Sequence, residues 1–536
     1  MTEPSTVQKI VSVAGGTCGM AAGAGKVWNE FIRAVGKDNT GIRLELTGCK
    51  GFCAMEPVVT IGDVFYCRVK PRDVEEILEK TVNNGEILER LLFKEDGKTF
   101  RTNKEIPFYR YQQRRVLYLT GEVEPIILDD YISRGGFKAL KKALKMDGED
   151  IINEVKDSGL RGRGGGGFPT GQKWESCRNS SADSVRYIIC NGDEGDPGCF
   201  QDRSLMEGNP YLVLEGLIIG GYAIGAGKGY LYVRAEYPLA VKHLGIALDR
   251  IRAGGFLGKN ILNSGFDFEI EIVRGAGAFV CGESSALMAS IEGKIGEPRV
   301  KHIHATDRGL WNKPTVLNNV KTLASIPLII MNGADWFSSI GTEKSKGTMI
   351  FSLTGNINNT GLVEVPMGIT LRDLIFKIGG GIAGDRKFKA VQTGGPSGGC
   401  LPESCLDLPV DYEALNEAGS MMGSGGMVVM DEDTCMVQVA RYFLNFTREE
   451  SCGKCPPCSE GTYLMLQILD KFIAGLADED DLRQLEEIAL MVAKTSLCGL
   501  GKSASNPVLT TLKYFKDEYR SHMEGRCPAK VCPGLV

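Results

Sequence analysis

Apolar residues recur with two periods along this chain, and the periods change several times. The stretch "TCMVQVARYFLNF" repeats apolar positions every three to four residues, as do "TYLMLQILDKFIAG" and "DLRQLEEIALMVAKT", which predicts helices. "NPVLTTLKYFKDEY" adds a fourth helix, with Asn506 as its cap and Pro507 in the first turn. Four helices in the last quarter predict a small bundle. The middle of the chain alternates. "KGYLYVRAE" reads as a strand, "YPLAVKHLGIALDRIRAG" as a helix and "FDFEIEIVRG" as a strand, which together predict a βαβ unit. "GAGAFVCGESSALMASIEG" then runs from a glycine-rich turn into a helix, whose N-terminus offers free N–H groups to an anion. Near the start, "VVTIGDVFYCRV" predicts a hairpin.

Length and composition place these segments in a multidomain α/β protein. The 536 residues suffice for three or four domains, and 43% hydrophobic residues fill several cores. The net charge of −5, without a basic tract, gives no reason to expect nucleic acid as a partner. The most apolar stretch, "YLVLEGLIIGGYAIGAGKGYLYV", is broken by Glu215, Lys228 and glycines, so no membrane span is expected. The N-terminus lacks an export signal, so a cytoplasmic location is expected.

In such a compartment seventeen cysteines point to metal rather than to disulfides. Cys452, Cys455 and Cys458 form C-x2-C-x2-C, and Cys498 is the natural fourth ligand of a [4Fe–4S] cluster. His522, Cys527 and Cys532 follow the bundle at four-residue gaps. With Cys435 they make a Cys3His set suited to zinc; the alternative is a frayed tail with incidental cysteines. Cys18, Cys49 and Cys53 form a third group with Cys67 as a candidate fourth member, and a domain that has lost its cluster is the competing reading.

"GLRGRGGGGFPTGQKW" holds seven glycines beside Arg161, Arg163 and Lys173. Gly162, Gly164 and Gly167 match G-x-G-x-x-G, a weak signal without a preceding strand. A linker would not normally end in "FPTGQKW", and glycine amides beside cations suit a phosphate.

That segment, with "CNGDEGDPGCFQDRSLMEGNPYLVLEG", "GAGAFVCGESSALMASIEG", "LWNKPTVLNNVKT" and "ESCGKCPPCSEGT", resembles in order the flavin-carrying NADH-binding subunit of respiratory complex I. With the N-terminal segment included, the chain is most similar to the beta subunits of soluble NAD(P)-linked [FeFe]-hydrogenases and their electron-bifurcating relatives. The resemblance implies a thioredoxin-like [2Fe–2S] domain at 1–110, a Rossmann-like FMN and NAD(P) domain at 125–335, a β-grasp (ubiquitin-like, SLBB-like) domain at 345–425, a four-helix bundle with a [4Fe–4S] cluster at 430–525 and a cysteine-containing tail at 526–536. The two-cluster ferredoxin domain that usually follows in the hydrogenase subunits is not expected in this sequence.

The resemblance also implies roles. Gly162, Arg163, Gly164 and Lys173 would hold the flavin phosphate and ring. Asn191, Asp193 and Glu194 would bond the ring and ribityl chain, and Asn318 and Asn319 the phosphate. Phe168 and Glu283 would face the nicotinamide nucleotide. The thioredoxin-like domain normally has a cysteine where this chain has Val13. No catalytic acid, base or nucleophile is expected, because the flavin carries the hydride chemistry. Expected partners are a small thioredoxin-like [2Fe–2S] subunit and a larger iron–sulfur subunit, hydrogenase first, with ferredoxin as a further candidate. A complex I or formate dehydrogenase module stays open, as does a flavin-free electron-transfer scaffold. The family's second motif glutamate is Ser284 here, and Lys301, His302, His304 and Arg308 fill the next loop. Both changes favour a 2′-phosphate, so NADP(H) or dual use is expected.

Overall fold

The computed structural model describes residues 9–36, 41–180, 185–300 and 302–536. Its architecture is mixed α/β, with three main sheets and a helical C-terminal part.

The N-terminal sheet has four strands, in the order Ile42–Thr47, Lys9–Ala14, Val59–Ile61 and Val64–Tyr66. The first pair runs parallel and the last pair is the expected hairpin. Val11, Val13, Phe31 and Val59 fill the core between this sheet and the helix Ala24–Val35.

The second sheet is wholly parallel, in the order Thr315–Asn319, Tyr187–Gly192, Lys228–Arg234 and Glu269–Gly275. The expected βαβ unit is present: Lys228–Arg234, helix Pro238–Ala253 and strand Glu269–Gly275. The apolar stretch read as too interrupted for a bilayer is the central helix Pro210–Ile224, buried along nearly its whole length. Its Gly216 lets Leu323 of a neighbouring helix approach; a Cβ there would sit 2.0 Å from the Leu323 carbonyl oxygen. Glu215 is buried in that helix but satisfied, accepting bonds from the Tyr131 hydroxyl and from the Phe137 and Leu140 N–H groups. No described helix is long and apolar enough to cross a membrane.

The third sheet has five strands: Gly361–Pro366, Thr348–Gly355, Gly426–Asp431, Phe388–Thr393 and Cys400–Pro402. Its buried Glu364 carboxylate accepts N–H bonds from Arg115, Val116 and Leu117, which fastens the connecting segment after the N-terminal domain to this sheet.

The four expected C-terminal helices are Met436–Glu449, Pro456–Ile473, Glu479–Thr495 and Asn506–Tyr514. Two details differ from expectation. The second helix starts at Pro456, so Cys458 lies inside it. The fourth has Ser505 at its N-cap position, without a side-chain capping bond, and Asn506 is its first residue, donating from Nδ2 to the Ser397 carbonyl.

Candidate functional site

The ends of the parallel strands Tyr187–Gly192 and Thr315–Asn319 open into a cleft of about 480 Å³. This is where an open parallel sheet places its ligand. One wall is the glycine loop between helix Gly148–Asp157 and helix Thr170–Arg178. Gly165 and Gly167 have φ of +117° and +60°, conformations that suit glycine, and Arg161 closes the loop by donating to the Gly167 carbonyl. At Gly164 a Cβ would come within 2.9 Å of the Asn319 Cβ. Gly166 has nothing within 4 Å where its Cβ would be, so its backbone faces open space.

Gly162, Gly164, Phe168, Lys173, Asn191, Asp193 and Glu194 all border this cleft. So do Glu283, Ser284, Asn318 and Asn319. Several are already held by the protein. Trp174 Nε1 donates to Asn318 Oδ1 at 2.8 Å, and Asn191 donates to the Gly282 carbonyl at 3.1 Å. Glu194 accepts from the Asp202 and Arg203 N–H groups at 3.0 Å each, so it caps the helix Gln201–Gly208. Glu283 likewise caps the helix Ser284–Ile291. Lys173 Nζ donates to the Leu317 carbonyl and lies 6.0 Å from the Phe168 ring centre. Phe168 itself is 54% exposed, an apolar face left for a planar ligand.

Asp193 is different. Both of its carboxylate oxygens are buried without a hydrogen-bond partner, and Arg234 is 3.9 Å away. Burial pushes its pKa up to about 7, opposed by Arg234. Such an orphaned acceptor at a cleft wall suits a ligand with N–H or O–H donors, as the polar edge of a flavin and its ribityl chain provide.

Arg163 departs from its expected role. Its side chain is fully buried, does not border the cleft, and donates to the Lys346 carbonyl. It ties the loop to the segment leading into the third sheet, and its N–H is bonded to the Thr322 hydroxyl. Lys301 lies outside the described residues.

The cleft has two walls that sequence reasoning missed. Gly394, Gly423 and Ser424 come from the third sheet's loops, and Gly499, Leu500 and Ser503 from the helical part. Asp202 was also missed; it pairs with Lys321 at 2.8 Å, both fully buried. Its position inside the quoted "CFQDRSLMEG" was the available signal.

A second cavity, of about 780 Å³, shares Phe168, Lys173, Ser284 and Leu317 with the first. Arg299, Arg308, His302, His304 and Lys454 border it. Among the described residues no carboxylate does.

Cys498 caps the short helix Gly499–Ser503, whose residues line the first cleft. Cys452, Cys455 and Cys458 lie beside it, close enough for the other three thiols to act electrically on Cys458. Burial raises the Cys458 pKa to about 11 and the three neighbouring thiols push the same way. Four bare thiolates are thus disfavoured together, and an iron–sulfur cluster supplies the missing positive charge.

The sulfur and nitrogen atoms of Cys435, His522, Cys527 and Cys532 lie within 4.8 Å of one another, all four residues buried. Cys435 and Cys532 sulfurs are 3.7 Å apart, and His522 Nε2 is 3.5 and 3.3 Å from them. A tetrahedron with zinc–sulfur bonds of about 2.3 Å has edges of about 3.8 Å. His522 Nδ1 bonds the Glu518 carbonyl at 2.7 Å, which directs Nε2 at the sulfurs.

In the N-terminal domain Cys18, Cys49 and Cys53 come together: the Cys53 thiol is in hydrogen-bonding contact with both others. Cys67 is packed among Phe52, Phe65, Phe93 and Phe108, and its charged neighbours are Arg68 and Glu56 instead of those three thiols. The sequence placed it near in number, but the strand end turns it into the apolar core.

Comparison with known proteins agrees with this layout. Residues 155–328 match the model of the Nuo51 FMN-binding domain, and 438–522 the NADH-ubiquinone oxidoreductase-F iron–sulfur binding region. Residues 350–401 match an SLBB domain and 2–82 a thioredoxin-like [2Fe–2S] ferredoxin. The chain is 54% identical over 417 residues to the NADP-reducing hydrogenase subunit HndC of Solidesulfovibrio fructosivorans, covering 78% of this chain and 85% of that one. It is 44% identical to an F-type NADH-quinone oxidoreductase subunit of Rhizobium meliloti, covering 75% and 96%. Among solved structures, an NAD+-reducing [NiFe]-hydrogenase in the H2-reduced state matches with a TM-score of 0.69 and 30% identity, covering 97% of this chain and 85% of the other.

Proposed function

We infer the function from one premise: the chain belongs to the family of F-type NADH-quinone oxidoreductase subunits and their hydrogenase counterparts. It is the flavin- and iron–sulfur-carrying subunit of an NAD(P)H-linked oxidoreductase. When bound, FMN exchanges a hydride with the nicotinamide as an electron pair and passes electrons singly, which suits it to iron–sulfur acceptors.

The observation that carries this reading is the cleft itself. One cavity joins the glycine loop, the orphaned Asp193 carboxylate and the helix that begins at Cys498. The residues fit the flavin. The amides of Gly164 to Gly167, Lys173 and Asn319 would hold its phosphate. Asn191 and Asp193 would take its donors, and Phe168 would lie against the nicotinamide. The chain's own part is to bind, to orient and to exclude water. The caps made by Glu194 and Glu283 and the buried Asp202–Lys321 pair keep the walls fixed without the ligand. The test is anaerobic. Protein reconstituted with FMN should hold about one flavin per chain, bleached near 450 nm by NADPH or NADH. Protein that binds no FMN would support the electron-transfer scaffold in its place.

The finer assignments are readings of the same kind. The third sheet fits a β-grasp domain and the C-terminal helices a bundle around the Cys452, Cys455, Cys458 and Cys498 cluster. None of the seventeen cysteines forms a disulfide, which suits a cytoplasmic setting. Tyr442, Tyr463, Leu464 and Met491 are exposed on the helices near the cluster, apolar surface of the kind a partner subunit covers. A small thioredoxin-like [2Fe–2S] subunit and a larger iron–sulfur subunit are the partners proposed. Hydrogenase is favoured by the relative named NADP-reducing hydrogenase subunit, and a ferredoxin-linked branch is consistent with it.

Zinc fits the Cys435, His522, Cys527 and Cys532 site by its distances and by the carbonyl bond on His522. There it fastens the C-terminal residues to Cys435 at the start of the first helix and to His522 in a short helix, Lys516–Met523. His522→Ala is expected to drop the zinc content from about one per chain to none and to lower the melting temperature, with flavin content unchanged. Elemental analysis and thermal scans check this. Full zinc retention in the variant, or iron at this site in the parent, would sink the assignment.

A further inference from the structure

The N-terminal domain brings three thiols together and has no cysteine at the customary fourth position. Val13 stands there, and its side chain is buried with Val11, Phe31 and Val59 in the apolar core. Cys67 is packed among phenylalanines. A binuclear iron–sulfur cluster takes four protein ligands. The fourth must come from another side chain, or no cluster forms.

The loops carrying the three cysteines are pressed together. A Cβ on Gly16 would sit 2.9 Å from the Cys49 Cβ, and the Gly51 N–H donates to the Cys49 sulfur at 3.2 Å. Arg203, from the flavin domain, donates to the Cys18 sulfur at 3.3 Å. Thr17, the residue before Cys18, is held through its N–H and hydroxyl by Glu207. N–H and guanidinium donors aimed at sulfur are the outer contacts that stabilise cluster thiolates.

Two acidic side chains lie at this place, Glu207, whose two oxygens are taken by Thr17, and Glu56. Glu56 follows Cys53 by three residues and is 8% exposed. Its Oε2 accepts the Val58 N–H at 2.9 Å, whereas Oε1 is buried and has no partner. The carboxylate lies against Gly19, next to Cys18. A Cβ on Gly19 would be 3.1 Å from Oε2 and 3.3 Å from Cδ. A buried carboxylate oxygen with no donor is costly unless a proton or a cation meets it. Ferric iron is a cation that accepts carboxylate oxygen beside thiolate.

We propose that Glu56 is the fourth, oxygen ligand of a [2Fe–2S] cluster whose other ligands are Cys18, Cys49 and Cys53. The proposal rests on reading the N-terminal domain as cluster-bearing. It makes the two irons unlike: one has two thiolate ligands, the other a thiolate and a carboxylate. Unlike ligation of the two irons is known to change a binuclear cluster's properties, as with histidine in Rieske centres.

The experiment uses the full chain grown on 57Fe, purified anaerobically, with Mössbauer spectra, iron and sulfide counts, and EPR of the reduced protein above the temperature at which cubane signals broaden. The parent should hold about six irons per chain, four in the cubane and two in an asymmetric binuclear cluster. Glu56→Gln should lose about two irons with their sulfide and leave the cubane intact. Glu56→Cys should keep the binuclear cluster with its two irons now alike, which also shows that the domain folds with the position changed. Cys67→Ser should alter nothing. An unchanged binuclear spectrum in Glu56→Gln, or its loss in Cys67→Ser, overturns the proposal while sparing the cluster-bearing reading. A parent with no binuclear cluster, in which Cys18 and Cys53 titrate as a free dithiol, overturns both.

Discussion

Cys498→Ala is expected to bring NAD(P)H-driven reduction of one-electron dyes down to background, while NAD(P)H still bleaches the bound flavin. The reason is positional. Cys498 stands at the boundary between the cleft and the helical part: the next residues, Gly499 and Leu500, border the flavin cavity. Its thiol and that of Cys458 are buried in one cluster with Val280 and Leu287 of the flavin domain, and the half-buried Cys452 and Cys455 pack against it. Loss of one of four ligands should remove about four irons from the chain without touching any side chain that holds the flavin. The two measurements then separate hydride arrival from electron exit. Flavin absorbance under anaerobic NADPH reports the first, and steady-state reduction of a dye that cannot enter the cleft reports the second. The variant's melting temperature should stay near the parent's, since Ala504, Val508 and Leu512 keep the helices packed. Dye reduction at the parental rate in a variant that has lost the irons would mean that electrons leave by another path.

How much of this was legible in the sequence differs from element to element. The βαβ unit and the C-terminal helices were readable because each buries one side, and burial writes its period into the sequence. The four-ligand sets were legible because a metal calls for ligands of fixed number and type; Cys435, 87 residues or more away in sequence, comes together with His522, Cys527 and Cys532, their ligand atoms within 4.8 Å of one another. Arg163 was misjudged because a cation beside glycines reads as a phosphate ligand, whereas its side chain turns through the loop to the Lys346 carbonyl. Cys67 was misjudged because numerical nearness says nothing about which face of a strand end is apolar. The walls supplied by Gly423 and Leu500 were invisible for a third reason. They reach the cleft only when three domains are assembled, and no local pattern encodes that contact. Glu56 was passed over as one more acidic residue. Its significance appears only once its Oε1 is seen to be buried without a donor.

Ser284→Glu is expected to shift the preference from NADPH towards NADH by about thirtyfold in kcat/KM, corresponding to about 2 kcal/mol. The second cavity is where the adenosine end of a nucleotide would lie if its nicotinamide faces Phe168, because Phe168, Lys173 and Ser284 border both cavities. Its other wall carries Arg299, Arg308, His302, His304 and Lys454. These cations are not all equally available. Lys454 lies 3.4 Å from Glu297, and Arg299 donates part of its guanidinium to the Arg308 and Gly309 carbonyls. Arg308 and the two histidines remain to meet a 2′-phosphate. Glu283 keeps its charge but lies outside the lining of this cavity, its Oε2 turned to the N–H groups of Ser285 and Ala286. Ser284 offers a hydroxyl that now donates to Glu283 at 3.2 Å. A glutamate there would put a charge beside the phosphate. A unit pair about 4 Å apart is worth about 1 kcal/mol in water and about 4 at an intermediate dielectric, so about 2 kcal/mol suits a half-open cavity. The same carboxylate would accept a bond from a ribose 2′-hydroxyl, so NADH should gain as NADPH loses. The check is kcat/KM for both nucleotides with one dye, in parent and variant, at two salt concentrations. The difference should shrink at high salt, where charges at an open site are screened. A parent that strongly prefers NADH, with a ratio that Ser284→Glu leaves unmoved, would place the 2′-position of the ribose elsewhere than beside Ser284.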